Sequence, residues 1–309
     1  MLNANDWLDI SGRGLRELPD NLATMPLRHL ILHQNQLTAL PDSLWELSGL
    51  ETLSIGENPL ESVPDRFVKL PHLKRLYLHA CGVQTVPSSA ATLRHLQILD
   101  LGHNLLSELP AFVGDFMQLE FLYISDNRLV TLPSQLGQLA RLIYLSATHN
   151  QLQALPAEIG RLQALQELRL YHNRLTELPI EIGSLTALRE LYLMDNHLPA
   201  LPDTITALSG LRQLRLQNNR IAALPAAIGN LTHLTDLDLR NNRLSTLPES
   251  IGHCRALRLL DLRGNQLESL PVAVRDLPTL EKLDLRWNKF RLLPAWLDNL
   301  RERGCLVYV

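Results

Sequence analysis

Histidines and aspartates recur at one slot of consecutive segments of the chain, and this pattern raises the question of metal binding. His103, Asp126, His149, His172 and Asp195 follow one another in steps of 23 residues. Imidazole nitrogens and carboxylate oxygens are ligands of zinc. A straight column does not converge on one point as a tetrahedral site requires, so we expect no metal here and no other cofactor.

Ser146 stands three residues before His149, and this spacing raises the question of nucleophilic catalysis. A serine nucleophile needs a base within hydrogen-bond distance and donors that stabilise an oxyanion. The sequence shows no strained turn or pair of oxyanion donors beside Ser146. It also contains no glycine-rich phosphate loop and no Cys-x-x-Cys motif. We therefore expect the protein not to be an enzyme.

An asparagine recurs at a fixed step, which shows that these side chains are carried by a repeated element. Each step is 23 residues, except one of 46 in which Cys81 holds the slot. A proline keeps the same step from Pro41 to Pro294, so twelve repeats run over residues 27–302. The asparagines are Asn35, Asn58, Asn104, Asn127, Asn150, Asn173, Asn196, Asn219, Asn242, Asn265 and Asn288.

A typical repeat reads L-x-x-L-x-L-x-x-N-x-L-x-x-L-P-x-x-I-G-x-L-x-x. The alternation in Leu168 and Leu170 predicts a short strand with one buried face, which the following proline ends because it has no N–H to donate. Ile159 and Leu162 predict a turn of helix or 3₁₀ helix, and the intervening Gly160 disfavours a longer helix.

Stacked repeats are predicted to form one parallel sheet over one core of leucines. Each asparagine side chain has a donor and acceptors, so it can satisfy backbone groups of the turns above and below it. Cys81 cannot do this as well, and we expect a locally looser turn there.

The two ends of the chain are predicted to act as caps. Residues 1–26 contain a half repeat offset by 22, in which Arg13 holds the asparagine slot and Trp7 covers the edge of the core. Residues 303–309 are predicted to form a closing strand. With repeats at 27–302, we expect one continuous body and no second domain.

Composition and charge restrict the partners and the compartment. The net charge of −3 and the pI of about 6.4 favour neither nucleic acid nor an anionic membrane as partner. Residues 1–10 do not resemble a signal peptide, and no segment is apolar enough to predict a membrane span. The three separated cysteines do not form the disulfide caps of extracellular solenoids. We expect a cytosolic monomer, in the producing cell or in the cytosol of a host cell.

The unit LPxxIGxLxxLxxLxLxxNxL resembles the leucine-rich repeats of plant intracellular Ras-group proteins, Scribble-type animal scaffolds and bacterial type III effectors. The match covers about nine-tenths of the chain, and eleven of twelve units keep the asparagine. The resemblance implies an α/β repeat solenoid, a leucine-rich-repeat arc with a concave parallel β-sheet and convex short helix or 3₁₀ segments. It also implies that the concave sheet binds another protein.

Side chains six, four and two positions before each asparagine slot are predicted to point out of the concave sheet. Five of the six tyrosines fall on this face. Tyrosine gives a large contact area at low entropy cost, although its preference for strands is a competing explanation. We predict a partner at repeats three to eight, with these contacts: Tyr77, His79, Phe121, Tyr123, Tyr144, Arg169, Tyr171, Tyr192, Met194 and Arg215.

The last repeats carry a column of aspartates beside a column of arginines. Opposite charges on neighbouring strands attract, and exposed pairs contribute only about 0–1 kcal/mol, so we favour mutual neutralisation. The alternative is a polar strip that orients a partner. The two columns are Asp238, Asp261 and Asp284, and Arg240, Arg263 and Arg286.

The leading functional hypothesis is a protein-binding module that performs no catalysis. A bacterial effector that acts on a host protein through its repeats is the main alternative, and a repeat scaffold without a natural partner is another.

Overall fold

The computed structural model describes residues 6–309 in two compact units, of which unit 1 ends at Gln151 and unit 2 is Leu152–Val309. In both units the repeats contribute three-residue strands, each followed by a turn at the asparagine slot, and most contribute a short 3₁₀ segment. The predicted repeat solenoid with a parallel sheet and 3₁₀ segments is therefore confirmed.

The strands of unit 1 pair in parallel in chain order. Their central leucines are in register, so that Leu53 lies beside Leu76 and Leu76 beside Leu99. The strands are β1 Trp7–Asp9, β2 His29–Ile31, β3 Thr52–Ser54, β4 Arg75–Tyr77, β5 Ile98–Asp100, β6 Phe121–Tyr123 and β7 Tyr144–Ser146.

The strands of unit 2 also pair in parallel in chain order. They are β8 Glu167–Arg169, β9 Glu190–Tyr192, β10 Gln213–Arg215, β11 Asp236–Asp238, β12 Leu259–Asp261, β13 Lys282–Asp284 and β14 Leu306–Tyr308. The strand predicted to close the C-terminal cap is confirmed as β14, which pairs with β13.

Each 3₁₀ segment follows a proline, which is preceded by leucine except at Val63-Pro64 and Val86-Pro87. In unit 1 they are Asp20–Thr24, Asp42–Glu46, Phe67–Lys69, Ser88–Thr92, Ala111–Asp115 and Ser134–Gln138. In unit 2 they are Ala157–Arg161, Ile180–Ser184, Asp203–Ala207, Ile228–Asn230, Glu249–His253 and Val272–Asp276, and one α-helix, α1, spans Leu297–Glu302.

Proline starts these segments and leucine fills the core between them and the sheet. Pro156 has an extended backbone with φ −66° and ψ 146°, and its carbonyl accepts a hydrogen bond from the Ile159 N–H at 3.0 Å. Ile159, Leu162 and Leu168 are fully buried. Burial of such side chains contributes about 1.5–3 kcal/mol each, which makes this shared core the main source of stability.

Glycine allows successive 3₁₀ segments of unit 2 to approach closely. A Cβ on Gly160 would lie 2.4 Å from the carbonyl oxygen of Glu181, and one on Gly183 would lie 2.2 Å from that of Thr204. The sequence interpretation, which saw these glycines only as a limit on helix length, was therefore incomplete.

The asparagines bond their own turn and the preceding one. The Asn58 side-chain amide donates to the carbonyls of Ile55 at 2.7 Å and Leu32 at 3.0 Å, and its oxygen accepts from the Leu37 N–H at 3.0 Å. The predicted satisfaction of backbone groups is confirmed, but its direction is corrected. The bonds reach backward along the chain because the side chain lies on that side of its turn.

The N-terminal end differs from the prediction at one residue. Arg13 does hold the asparagine slot, and its N–H donates to the Asn35 side-chain oxygen at 3.1 Å. Trp7 does not cover the core edge. It lies in register with His29 with ring centroids 4.8 Å apart, and it is 49% exposed. In β1 the inward position belongs to Leu8, so its neighbour Trp7 must point to the other face.

Candidate protein-interaction surface

We call the side of each sheet that carries the residues six, four and two positions before the asparagine slots the strand face. These side chains alternate with the core: Phe121 and Tyr123 are half-buried on either side of the fully buried Leu122. All ten predicted contacts are half-buried on this face. Unit 1 carries Tyr77, His79, Phe121, Tyr123 and Tyr144, and unit 2 carries Arg169, Tyr171, Tyr192, Met194 and Arg215.

Phe121, Tyr123 and Tyr144 form what we call the aromatic cluster of unit 1. The ring centroids of Tyr123 and Tyr144 are 5.0 Å apart, and those of Phe121 and Tyr144 are 6.5 Å apart. Beside the cluster the hydroxyls of Ser125 and Ser146 are hydrogen-bonded at 2.7 Å. Tilted rings next to small polar side chains offer a shallow apolar surface with a polar border, and tyrosine is one of the residue types enriched in binding hot spots.

Tyr77 lies on the strand face two strands away from Tyr123, with Asp100 on the strand between them. Burial raises the pKa of the Tyr77 phenol above its ordinary value. The phenol is therefore neutral at physiological pH and can act as a hydrogen-bond donor.

His79 lies between two carboxylates on the strand face. Its Nδ1 is 3.3 Å from Asp100 Oδ2 and its Nε2 is 3.6 Å from Glu57 Oε1. The ring fills the space above Gly56, where a Cβ would lie only 2.3 Å from the His79 Cε1. Interaction with Asp100 is the main cause that raises the pKa of His79, so this position favours a cation.

On unit 2, Tyr192 is held by its neighbours. The guanidinium carbon of Arg169 lies 5.2 Å from the centroid of the Tyr192 ring, and Arg169 also forms an ion pair with Glu167. The Tyr192 hydroxyl donates to Glu190 Oε2 at 2.6 Å, and burial together with this bond raises its pKa. An ordered aromatic ring loses little further entropy when a partner binds.

Tyr171 and Met194 lie at the same level of neighbouring strands, and the Tyr171 ring makes an edge contact with His172 at 5.5 Å. Arg215 forms ion pairs with Asp236 at 3.2 Å and with Asp238 at 3.9 Å. The predicted contacts of unit 2 therefore extend as far as the column of aspartates that begins at Asp238.

We call Arg240, Arg263 and Arg286 the arginine ladder. Each of these arginines donates through Nε and Nη2 to the aspartate two residues before it, with Nη2–Oδ2 distances of 2.7 Å. Arg240 also lies 3.6 Å from Asp261, and Arg263 lies 3.4 Å from Asp284. The sequence interpretation considered only pairing between strands. The pairing of each arginine with the aspartate two residues before it could have been predicted from period-two alternation, which puts residues i and i+2 on one face.

The recurring histidines and aspartates lie in the turns, whereas Ser146 is the last residue of β7. His103 Nδ1 and His149 Nδ1 are 3.6 Å and 3.8 Å from Asp126, and all three have left-handed backbones with φ between 51° and 54°. Ser146 instead bonds Ser125. Over residues 6–309 no group of three or more His, Cys, Asp or Glu side chains could hold a metal ion. In that part of the chain no helix has the length and apolar character of a membrane span.

Models of one repeat family match successive parts of the chain. The model described as Leucine rich repeat matches residues 26–83, 71–129 and 209–267, and the model described as Leucine-rich repeat region matches residues 133–218. A further Leucine Rich Repeat model matches residues 279–300. The chain belongs to the leucine-rich-repeat family. Leucine-rich-repeat proteins are generally protein-interaction modules and are typically not catalytic.

Several solved leucine-rich-repeat structures are similar. One from Leptospira interrogans is 28% identical with a TM-score of 0.57, and the match covers 98% of this chain and 95% of that one. A TDR receptor is 30% identical with a TM-score of 0.83, covering 92% of this chain and 52% of the receptor. The plant peptide hormone receptor RGFR1 in complex with RGF2 is 28% identical with a TM-score of 0.75, covering 94% and 53%.

This leucine-rich-repeat chain thus spans about half the length of the two receptor chains. No curated protein matches it.

Proposed function

We propose that this protein is a binding module without catalytic activity, and that its partner is another protein that contacts the strand face. The observation that carries the proposal is the placement of the five tyrosines of the repeats on this face, where all five are half-buried. Tyrosines that keep part of their rings in solvent and are ordered by neighbours are suited to bind a protein surface.

A protein ligand is also supported by two of the similar structures. The receptor RGFR1 is in complex with RGF2, and a further structure is described as PEPR1-AtPEP1. A stable complex of this kind requires about 1,000 Å² of buried surface or more. Half-buried rings in the aromatic cluster and at Tyr192 provide contact area in each unit.

The proposal includes a cytosolic monomer that binds neither nucleic acid nor membranes. The net charge of −3 supports the choice of partner class. Free thiols at Cys81, Cys254 and Cys305 support a reducing compartment.

The alternative proposal is a bacterial effector that acts on a host protein through its repeats. The similarity to the Leptospira interrogans protein over almost the full length of both chains supports this alternative. A translocation reporter fused to the protein tests this alternative in an infected host cell. Delivery of the reporter would support it, and failure of delivery would remove it.

Affinity capture from a native lysate tests the leading proposal. Wild-type protein is compared with a variant in which the strand-face tyrosines are alanine, namely Tyr77, Tyr123, Tyr144, Tyr171 and Tyr192. The matched control replaces exposed apolar side chains in or next to the 3₁₀ segments: Val68, Met117, Ile180 and Val272, each by alanine. We expect one protein to be retained by the wild type and the control but lost from the tyrosine variant. Retention of that protein by the tyrosine variant would contradict the proposal.

A further inference from the structure

The arginine ladder of unit 2 lies beside three aspartates, of which Asp238 and Asp284 are buried and Asp261 is half-buried. The side chains of Asp238, Asp261 and Asp284 are 4%, 16% and 0% exposed, whereas those of the ladder arginines are 35%, 20% and 38% exposed. The three aspartates and three arginines are equal in number, but the arginine side chains are much the more exposed members at two of the three pairs, Asp238 with Arg240 and Asp284 with Arg286.

Each aspartate fixes the orientation of the guanidinium group two residues after it. Each of the three arginines donates hydrogen bonds through Nε and Nη2 to the aspartate two residues before it. Among the residues that the structure describes, the Nη1 groups of these three arginines have no hydrogen-bond acceptor. Three oriented pairs of N–H donors therefore stand in a row, each two residues beyond the end of one of three neighbouring strands.

Oriented guanidinium donors match carboxylate acceptors. Planar guanidinium groups that are already fixed lose little freedom when they bind an anion, and hydrogen bonds to carboxylates are about twice as strong as neutral ones. The aspartates beneath cancel much of the net field, so directional donors, rather than charge alone, distinguish this surface.

Trp287 directly follows Arg286, the last arginine of the ladder, and presents an exposed aromatic ring. Its backbone is left-handed with φ 61°, and the side chain is 72% exposed. The same left-handed slot holds Asn218, Asn241 and Gly264 in the three preceding repeats, residue types that tolerate this conformation, and histidines in the repeats of His103, His149 and His172. Tryptophan is the largest side chain in this recurring slot, and a bulky residue with this backbone conformation is rare.

The indole also lies next to the ladder in space. The guanidinium carbon of Arg286 is 5.6 Å from the centroid of the Trp287 ring and 5.1 Å from that of the Tyr308 ring. An exposed apolar ring thus adjoins the end of the row of donors. Tryptophan and arginine are the residue types most enriched among binding hot spots.

We propose that the arginine ladder and Trp287 bind an acidic segment of a partner protein. Aspartate or glutamate side chains of the segment accept hydrogen bonds from the free Nη1 groups, and an apolar residue of the segment packs on the indole. This inference rests on the proposed protein-binding function and adds the chemistry of the bound segment.

Binding of synthetic peptides to the full chain tests the proposal. The probe is a fluorescein-labelled EEELEEE peptide, and QQQLQQQ is its neutral counterpart, both followed by fluorescence anisotropy. We expect the acidic peptide to bind at least about tenfold more tightly than the neutral one, with affinity that falls as salt is added.

Two variants separate oriented donors from charge and from fold. Substituting Arg240→Lys, Arg263→Lys and Arg286→Lys together keeps the charge but removes the planar donors, and we expect about tenfold weaker binding. Trp287→Asn is expected to weaken binding about threefold without lowering the thermal midpoint, because asparagine suits this turn.

Arg258→Lys is the matched control, because Arg258 pairs with Glu281 outside the strand face. It is expected to bind like the wild type. The proposal is overturned if the two peptides bind equally, or if a folded lysine variant and Trp287→Asn both bind as tightly as the control.

The five-tyrosine variant distinguishes a failure of the acidic-segment proposal from a failure of the proposed protein-binding function. It is expected to bind the acidic peptide like the wild type, since the ladder is unchanged. Loss of the captured partner in the tyrosine variant, together with indifference of peptide binding to the ladder variants, would reject only the inference about the acidic segment.

Discussion

The thiol of Cys81 lies 3.4 Å from the carbonyl oxygen of Ile55, in the slot where the other eleven repeats place an asparagine. A thiol is a weak donor and offers no strong acceptor to the preceding turn. The Leu60 N–H therefore bonds the Asn58 carbonyl at 2.8 Å instead of a side chain. A surface cavity of about 250 Å³, lined by Cys81 and Val83 among others, adjoins this turn.

Cys81→Asn is therefore expected to stabilise unit 1. The new amide can bond the Leu60 N–H and the Ile55 carbonyl, which is worth about 1 kcal/mol in the free energy of unfolding. Urea denaturation measures this gain, and hydrogen exchange is expected to show faster exchange at the wild-type Cys81 turn than at its neighbours. Unchanged stability with equal protection of all turns would contradict the interpretation.

Gly160→Ala is expected to destabilise unit 2. The new Cβ would lie 2.4 Å from the Glu181 carbonyl oxygen, so the 3₁₀ segments must separate at a cost of about 1–3 kcal/mol. Gly210→Ala is the matched control, because its Cβ would lie 3.5 Å from the nearest backbone oxygen. Equal denaturation midpoints of the two variants would show that close approach does not require glycine at position 160.

His79 is expected to make stability depend on pH near neutrality. Because Asp100 raises the pKa of His79 in the folded protein, the stabilising contribution is complete below the ordinary histidine pKa. It is lost as the pH rises through the raised value. NMR titration of the imidazole measures that pKa, and Asp100→Asn is expected to lower it more than Glu57→Gln. A wild-type pKa at or below the ordinary value would disprove this assignment.

Asp284 is expected to contribute stability that is lost in acid. Burial alone would raise its pKa, but hydrogen bonds from Arg286 and the charge of Arg263 hold the pKa below its ordinary value. Its contribution is therefore present above about pH 4 and disappears as the pH falls through the lowered pKa.

Asp284→Asn tests this contribution, and we expect a loss of about 2 kcal/mol at pH 7 that shrinks toward pH 3. Asp276→Asn is the control, because Asp276 pairs with Arg275 in the solvent and is expected to give no measurable change. A pH-independent effect of Asp284→Asn would mean that its charge is not responsible.

The repeated parts of the fold could be predicted because each of their signals occurs many times. Alternation around residues such as Leu168 predicts the strands, and the recurring proline predicts where most of the 3₁₀ segments begin. Single positions could not be predicted in this way. The outward direction of Trp7 depends on the pairing of β1 with β2, and the role of Gly160 depends on a contact 21 residues away at Glu181.

The strand face could be predicted from period two, but the interactions on it could not. The sequence places Arg169 and Tyr192 on this face, whereas the stacking of the guanidinium over the ring depends on side-chain conformations. Trp287 carries a detectable signal, since tryptophan stands where nearby repeats have asparagine or glycine. The substitution can be interpreted only when the structure shows that the backbone of this slot is left-handed.

The central claim is that the strand-face tyrosines bind a protein partner, and the affinity for the captured partner tests it most directly. Isothermal titration compares the wild type, the five-tyrosine variant and the control with alanine at Val68, Met117, Ile180 and Val272. The account predicts a Kd at least about a hundredfold weaker for the tyrosine variant, with the control close to the wild type. A folded tyrosine variant that binds the partner as tightly as the control would contradict the claim.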